Sequence, residues 1–322
     1  MSIPPQRKSA SAAPTIRPMV ESDLPDARRI FQLAFGTFIG VPDPASFLKD
    51  VDFFRPRWAG GVGSAFVAEI DGRIVGSNLV SNWGSFGFFG PLTIHPERWD
   101  QGIAQHLMGA AMDTFRDWGV RHCGLFTFPQ SAKHVNLYQK YGFWPRFLTA
   151  LMARPAERRN IFWRAFSQLS EAEQSEALRA CRELTDAIFD GLDVSREIRA
   201  IAKLQLGDTL LLCGGDRLDG FACCHCGAET EAGDGTCYIK FGAVRSGPDA
   251  EQLFDALLDE CESFAAERGL ARIEAGVNLG RDRAYRRMRG RGYQTLFQGI
   301  AMHRPNESGF CNSGDYVIDD WR

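Results

Sequence analysis

A chain of 322 residues is long for one domain and fits two of ordinary size. Hydrophobic residues make up 44% and charged residues 24%, the balance of a soluble globular chain rather than a low-complexity one. The formal net charge of −3 is unevenly shared. Residues 1–155 hold 16 basic and 12 acidic residues, and the remainder 21 and 28. Neither half has the basic excess of a nucleic-acid binder, and the mildly positive first half suits a phosphorylated small ligand.

No apolar run approaches membrane length, and no charged-then-apolar leader opens the sequence, so no membrane partner is expected. The nine cysteines, odd in number and irregularly spaced, argue against a secreted disulfide framework and for a reducing cytoplasm. Residues 1–14, rich in Ser, Pro and Ala, are expected to form a disordered tail.

The first half then alternates. "TIRPM" (Thr15 to Met19) reads as a strand, and Ser22 or Asp23 can cap a helix through Phe35. A second helical stretch is expected around Pro44 to Phe54. "SAFVAEIDGRIVGSNLVSN" gives two strands joined at Asp71-Gly72, a hairpin signal. "FFGPLTI" (Phe88 to Ile94) is an apolar strand ended by Pro96. Beyond Gly102, the residues Ile103, Leu107, Ala111 and Phe115 recur at helical spacing. A strand (His122 to Pro129), a helix ("SAKHVNLYQKYGF") and a strand ("PRFLTALMAR") complete this half.

The second half repeats the order loosely. A long helical region, Glu171 to Lys203, precedes "TLLLCGG" and "LDGFACCHCG", with a turn region from Asp216 to Gly220 between them. "TCYIKFGAV", a helix from Pro248 to Arg268, "ARIEAGV", a helix through Met288 and "TLFQGIAMH" follow. Both halves finish α-β-α-β after three strands, which is the pattern of an internal duplication. Residues Ala156 to Ser170 read as the linker. The tail "YVIDDWR" has no account from the sequence.

"CCHC" (Cys223 to Cys226) looks like a metal site but is not read as one. Neighbours on a strand point to opposite faces, and zinc ligands come in spaced pairs, so no metal is expected. Gly102 raises a different question. Strand, tight turn and helix N-terminus in that order leave backbone N–H groups pointing outward, where the helix dipole favours an anion such as phosphate. A plain turn glycine is the competing reading.

Two stretches resemble the GNAT superfamily of N-acetyltransferases. "WDQGIA" (Trp99 to Ala104) fills the family's acyl-CoA loop, Arg/Gln-x-x-Gly-x-Gly/Ala. Gly102 and Ala104 match, and Trp99 replaces the polar first residue. "SAKHVNLYQKYGF" is similar to the family's late helix at Tyr138, Gly142 and Phe143, with Ser131 for its Asn and His134 for its Ala. The resemblance covers residues 15–155 well and 171–305 only by element order. It implies an α+β fold of two GNAT-like domains, each a mixed, mostly antiparallel sheet flanked by helices. The expected boundaries are a GNAT domain at 15–155 and a second, GNAT-like domain without CoA chemistry at 156–322.

The resemblance also implies acetyl-CoA as co-substrate. In the cofactor-binding loop Trp99, Asp100, Gln101, Gly102, Ile103 and Ala104, the N–H groups of Gln101 to Ala104 would cradle its pyrophosphate, and backbone groups of Leu92, Thr93 and Ile94 would bind its pantetheine arm. Ser131 and His134 share a helix face with Tyr138 and would line the groove. Tyr138, protonated at neutral pH, would be the acid for the departing thiolate. No base is assigned: His134 could serve as one or simply line the groove, Glu69 could reach an amine through water, and His95 reads as structural. The second half has no Gly-x-Gly/Ala loop, and Met288 stands where the acid would be, with Tyr285 a turn earlier. The expected activity is acetyl transfer to an amine, most simply a small-molecule acceptor. A non-enzymatic acyl-CoA sensor is the alternative, and a homodimer is left open.

Overall fold

A computed structural model describes residues 13–215 and 217–322. Most of the expected disordered tail, residues 1–12, and Asp216 of the expected turn lie outside the described residues. The first half runs β1 (Thr15–Pro18), α1 (Leu24–Ile39), α2 (Phe54–Gly60), β2 (Gly63–Ile70), β3 (Arg73–Trp83), β4 (Phe86–Phe89), β5 (Thr93–Ile94), α3 (Ile103–Asp117), β6 (His122–Thr127), α4 (Ala132–Gln139) and β7 (Trp144–Pro155). The second runs α5 (Glu171–Ile188), α6 (Ser195–Leu204), β8 (Gly207–Gly214), β9 (Arg217–Gly227), β10 (Gly233–Val244), α7 (Ala250–Glu267), β11 (Arg272–Asn278), α8 (Asp282–Gly290), β12 (Gln294–Arg304) and β13 (Val317–Ile318).

The Asp71-Gly72 hairpin is present. Both residues have positive φ, 51° and 72°, as a two-residue turn matched to strand twist requires. Two helix expectations are corrected. Pro44–Ser46 is only a single 3-10 turn, and the helix starts at Phe54, where the Asp52 carboxylate accepts from the N–H groups of Phe54 and Arg55 at 2.7 and 3.1 Å. The region 171–203 is two helices. Gly191, at φ 78°, turns the chain between them, and its carbonyl accepts from Ser85 N–H at 2.8 Å.

One sheet holds both halves, in the order β1-β2-β3-β4-β6-β12-β7-β11-β10-β9-β8. The expected boundary at 155/156 therefore does not divide the sheet. Each half gives its last long strand away: β12 pairs with β6 of the first half, and β7 pairs with β11 of the second. The exchanged strands pair with each other from Gln294↔Ala153 to His303↔Trp144, at the centre.

Each half has one parallel pair, β4 with β6 and β10 with β11. Close packing there follows from small residues. A Cβ on Gly87 of β4 would lie 2.6 Å from the Phe115 ring, so glycine lets α3 settle against the strand. Beyond each parallel pair the strands part. In the first half the break falls at Gly90, after which β5 turns to β3 through Ser77↔Thr93 and Gly76↔Ile94. In the second half the parting is filled by β13, which pairs with β10 at Gly242↔Ile318 and Ala243↔Val317. The "YVIDDWR" tail is thus a structural wedge. Cys224 and His225 lie in β9, all nine cysteines are free, and no metal-binding cluster occurs among the described residues.

Candidate active site

A cavity of about 880 Å³ opens where β4 and β6 part. One wall is the loop before α3. Gly102 sits there at φ 80°, a conformation glycine adopts without strain, and a Cβ on it would meet nothing within 4 Å. No side chain caps α3, so the first N–H groups of the helix stay available on the cavity side. Trp99, Asp100, Gln101, Gly102, Ile103 and Ala104 all line it. The Trp99 indole N–H donates to the Ile94 carbonyl at 2.8 Å, tying the loop to β5. Lys133 reaches across from α4 to Asp100 at 2.6 Å and lies 5.9 Å from the Trp99 ring. Arg98, Lys133 and Lys140 give this rim positive charge suited to phosphates.

Leu92, Thr93 and Ile94 form the second wall. Thr93 is buried, its hydroxyl 2.8 Å from that of Ser77, which fixes the backbone of β5. Tyr138 enters from α4, packed on Phe89 and Phe143, and lines the same cavity. Burial pushes its hydroxyl up to about 12, with a hydrogen bond to Thr127 offsetting part of the rise, so it carries its proton at neutral pH. His134 also lines the cavity, its ring 5.0 Å from that of Phe38. Burial, then the Lys133 charge, lower its pKa and keep it neutral.

Ser131 is a correction. Its hydroxyl accepts from His134 N–H at 3.4 Å as the cap of α4, and it does not line the cavity. Glu69 does not line it either; Arg17 pairs with it at 2.9 Å. His95 caps the turn at Pro96 by accepting from Glu97 N–H at 3.4 Å, a structural role. In the second half Met288 is fully buried and Tyr285 packs on the same cluster.

Sequence reasoning missed two sets of cavity residues. Phe31, Phe35 and Phe38 of α1 form an apolar wall. Glu274 of β11, Leu296 and Phe297 of β12, and the tail residues Asp320, Trp321 and Arg322 arrive from the second half. The periodicity of α1 could have flagged the first set; the second depends on the exchanged strands.

Residues 26–143 match the model of the acetyltransferase (GNAT) family. Among solved structures, a provisionally named acetyltransferase of Pyrococcus horikoshii is similar over 96% of this chain and 95% of its own, at 15% identity and a TM-score of 0.67. A GCN5-related N-acetyltransferase of Sphaerobacter thermophilus covers 92% and 96%, at 17% identity and 0.56. The glucosamine N-acetyltransferase region of a fungal multi-domain β-N-acetylglucosaminidase covers 94% of this chain and 39% of that one, at 14% identity and 0.62. No curated protein matches this sequence. At these identities the structures speak for the fold, and they span both halves. A loop glycine and a late-helix tyrosine meeting at the parted strands of a tandem sheet therefore agree with the sequence match of residues 26–143 to the GNAT acetyltransferase family.

Proposed function

We propose that the first half transfers an acetyl group from acetyl-CoA to an amine. The observation that carries this reading is that the Trp99–Ala104 loop, the parted strand at Leu92–Ile94 and the Tyr138 side chain line a single cavity. When bound, acetyl-CoA supplies a thioester carbon open to attack. The free N–H groups at the head of α3, with Arg98 and Lys133 nearby, would hold its phosphates. The Ile94 backbone N–H would steady the carbonyl oxygen as negative charge grows on it. The amine nitrogen forms the new C–N bond as the C–S bond breaks. Tyr138 gives its proton to the leaving sulfur, and the proton shed by the nitrogen restores the phenol through solvent.

A panel of primary amines incubated with acetyl-CoA and this protein, read by release of free thiol, tests the reading. Thiol release that depends on both amine and protein supports it. Tight acetyl-CoA binding with no thiol release from any amine would make the protein an acyl-CoA sensor instead. The second half, its parting filled by β13, shapes the acceptor side rather than binding a second acetyl-CoA.

A further inference from the structure

The acceptor side of this cavity carries a cation site that the tail itself occupies. Tyr238 of β10 and Glu274 of β11 are register partners on neighbouring strands. Asp320 lies over Gly276, two residues along β11, where any Cβ would come within 2.2 Å of the Asp320 Cβ. Gly276 thus admits the tail. The Tyr238 hydroxyl donates to Asp320 Oδ1 at 2.8 Å, while Oδ2, in a residue only 3% exposed, makes no hydrogen bond.

The Arg322 guanidinium sits 3.8 Å over the Tyr238 ring. Its Nε is 3.6 Å from Asp320 Oδ2 and its Nη2 is 3.7 Å from Glu274 Oε2. Neither nitrogen makes a hydrogen bond. The cation is held by an aromatic face and two carboxylates, without the directed bonds that a structural arginine usually makes. Arg272 pairs with the other oxygen of Glu274 at 3.0 Å from the outside.

This box adjoins the parted strand. The Arg57 guanidinium donates to the Gly90 carbonyl at 2.6 Å and to the Arg322 carbonyl, so one side chain bridges the break in the first half to the box. At the mouth of the same cavity stand Phe38, Ile39, Leu48, Leu296 and Phe297, all exposed large apolar side chains. An apolar mouth leading to an acidic, aromatic end fits a ligand with a hydrophobic body and one positive charge.

We propose that the Tyr238–Glu274–Asp320 box receives the ammonium of the acceptor in place of the Arg322 side chain, that Asp320 Oδ2 takes one ammonium proton so that the free amine can attack, and that the acceptor is a hydrophobic primary amine. This rests on the acetyl-transfer reading, and it names the class of substrate.

The test measures binding of 2-phenylethylamine to the full chain by calorimetry without acetyl-CoA, with acetyl-CoA titrated separately. The amine is expected to bind saturably, and 2-phenylethanol, uncharged but of the same shape, at least tenfold more weakly. Asp320→Asn and Glu274→Gln should each weaken the amine tenfold or more, and Arg322→Ala should tighten it several-fold. Equal binding of amine and alcohol by the unaltered protein would overturn the inference, whatever the variants do. So would acetylation of other amines, with phenylethylamine neither bound nor acetylated, and acetyl transfer would then survive. A protein that fails to bind acetyl-CoA, yet binds the amine as described, would sink the transfer reading and keep the cation site.

Discussion

The Arg57 guanidinium meets the Glu231 carboxylate in a two-pronged ion pair at 2.9 and 2.7 Å, both side chains buried. Lys240 extends it, 2.7 Å from Glu231 and 3.0 Å from Glu197, which in turn accepts from the Trp83 indole at 3.1 Å. The network joins α2 and β3 of the first half to β10 and α6 of the second. Arg57→Ala would leave Glu231 half-paired in the interior. A loss of about 3–5 kcal/mol is expected, measured as a shift in denaturant midpoint.

Gly102→Val tests the loop. The new side chain meets nothing within 4 Å, so the cost to the fold is backbone strain at φ 80°, roughly 1–2 kcal/mol. Acetyl-CoA affinity is expected to fall at least tenfold in a calorimetric titration, because the phosphates could no longer approach the backbone. Unchanged affinity would remove the loop from the binding site.

Tyr138→Phe tests the acid. The ring keeps its packing on Phe89 and Phe143, and only the hydroxyl is lost. The rate constant for transfer is expected to drop by roughly 10² to 10⁴, with acetyl-CoA affinity little changed. Single-turnover kinetics on a confirmed acceptor give the answer. A wild-type rate would make Tyr138 a packing residue.

Stoichiometry tests the second half. Where β10 and β11 part, β13 already holds Gly242 and Ala243, and Arg281 anchors the tail through Asp319 at 2.9 Å. One acetyl-CoA per chain is expected by titration. Two equal sites would mean that the wedge leaves.

Acid should weaken the centre of the molecule. His122 Nε2 and His303 Nδ1 lie 3.0 Å apart between β6 and β12. Burial, with Arg146 nearby, pushes His122 down to about 4. Burial, then His122, Arg146 and Arg281, push His303 down to about 3. Unfolded histidines titrate near 6.5, so below that pH the unfolded chain takes up protons that the folded one refuses. This stability is complete above pH 6.5 and is lost as pH falls toward 4, by roughly 3 kcal/mol for His122 alone. Denaturant midpoints between pH 7 and 4.5 should show the decline, and replacing both histidines by leucine should make it shallower, leaving the share of the buried His225.

What could be read in advance was local. Asp71-Gly72 announces its hairpin because two positive φ angles in a row need such residues, and Gly102 announces its loop similarly. The helix break at Gly191 was hidden, since its cause is a contact with Ser85, more than a hundred positions away. Partner choice for β7 and β12 was also hidden: each strand has the same alternating pattern whichever sheet it joins. Half of the proposed acceptor site went with it. Glu274 and Asp320 look like ordinary strand and tail carboxylates until the exchange brings them to the cavity that Gly90 also lines.

The exchanged strands also set an order of events. During synthesis β7 emerges long before β11 and β12, the two strands that flank it in the sheet. Its pairing with β11 needs residue 278 and its pairing with β12 needs residue 304, and β6 waits for β12 as well. The middle of the sheet, which holds the halves together, therefore closes only after every other strand of the main path has been made.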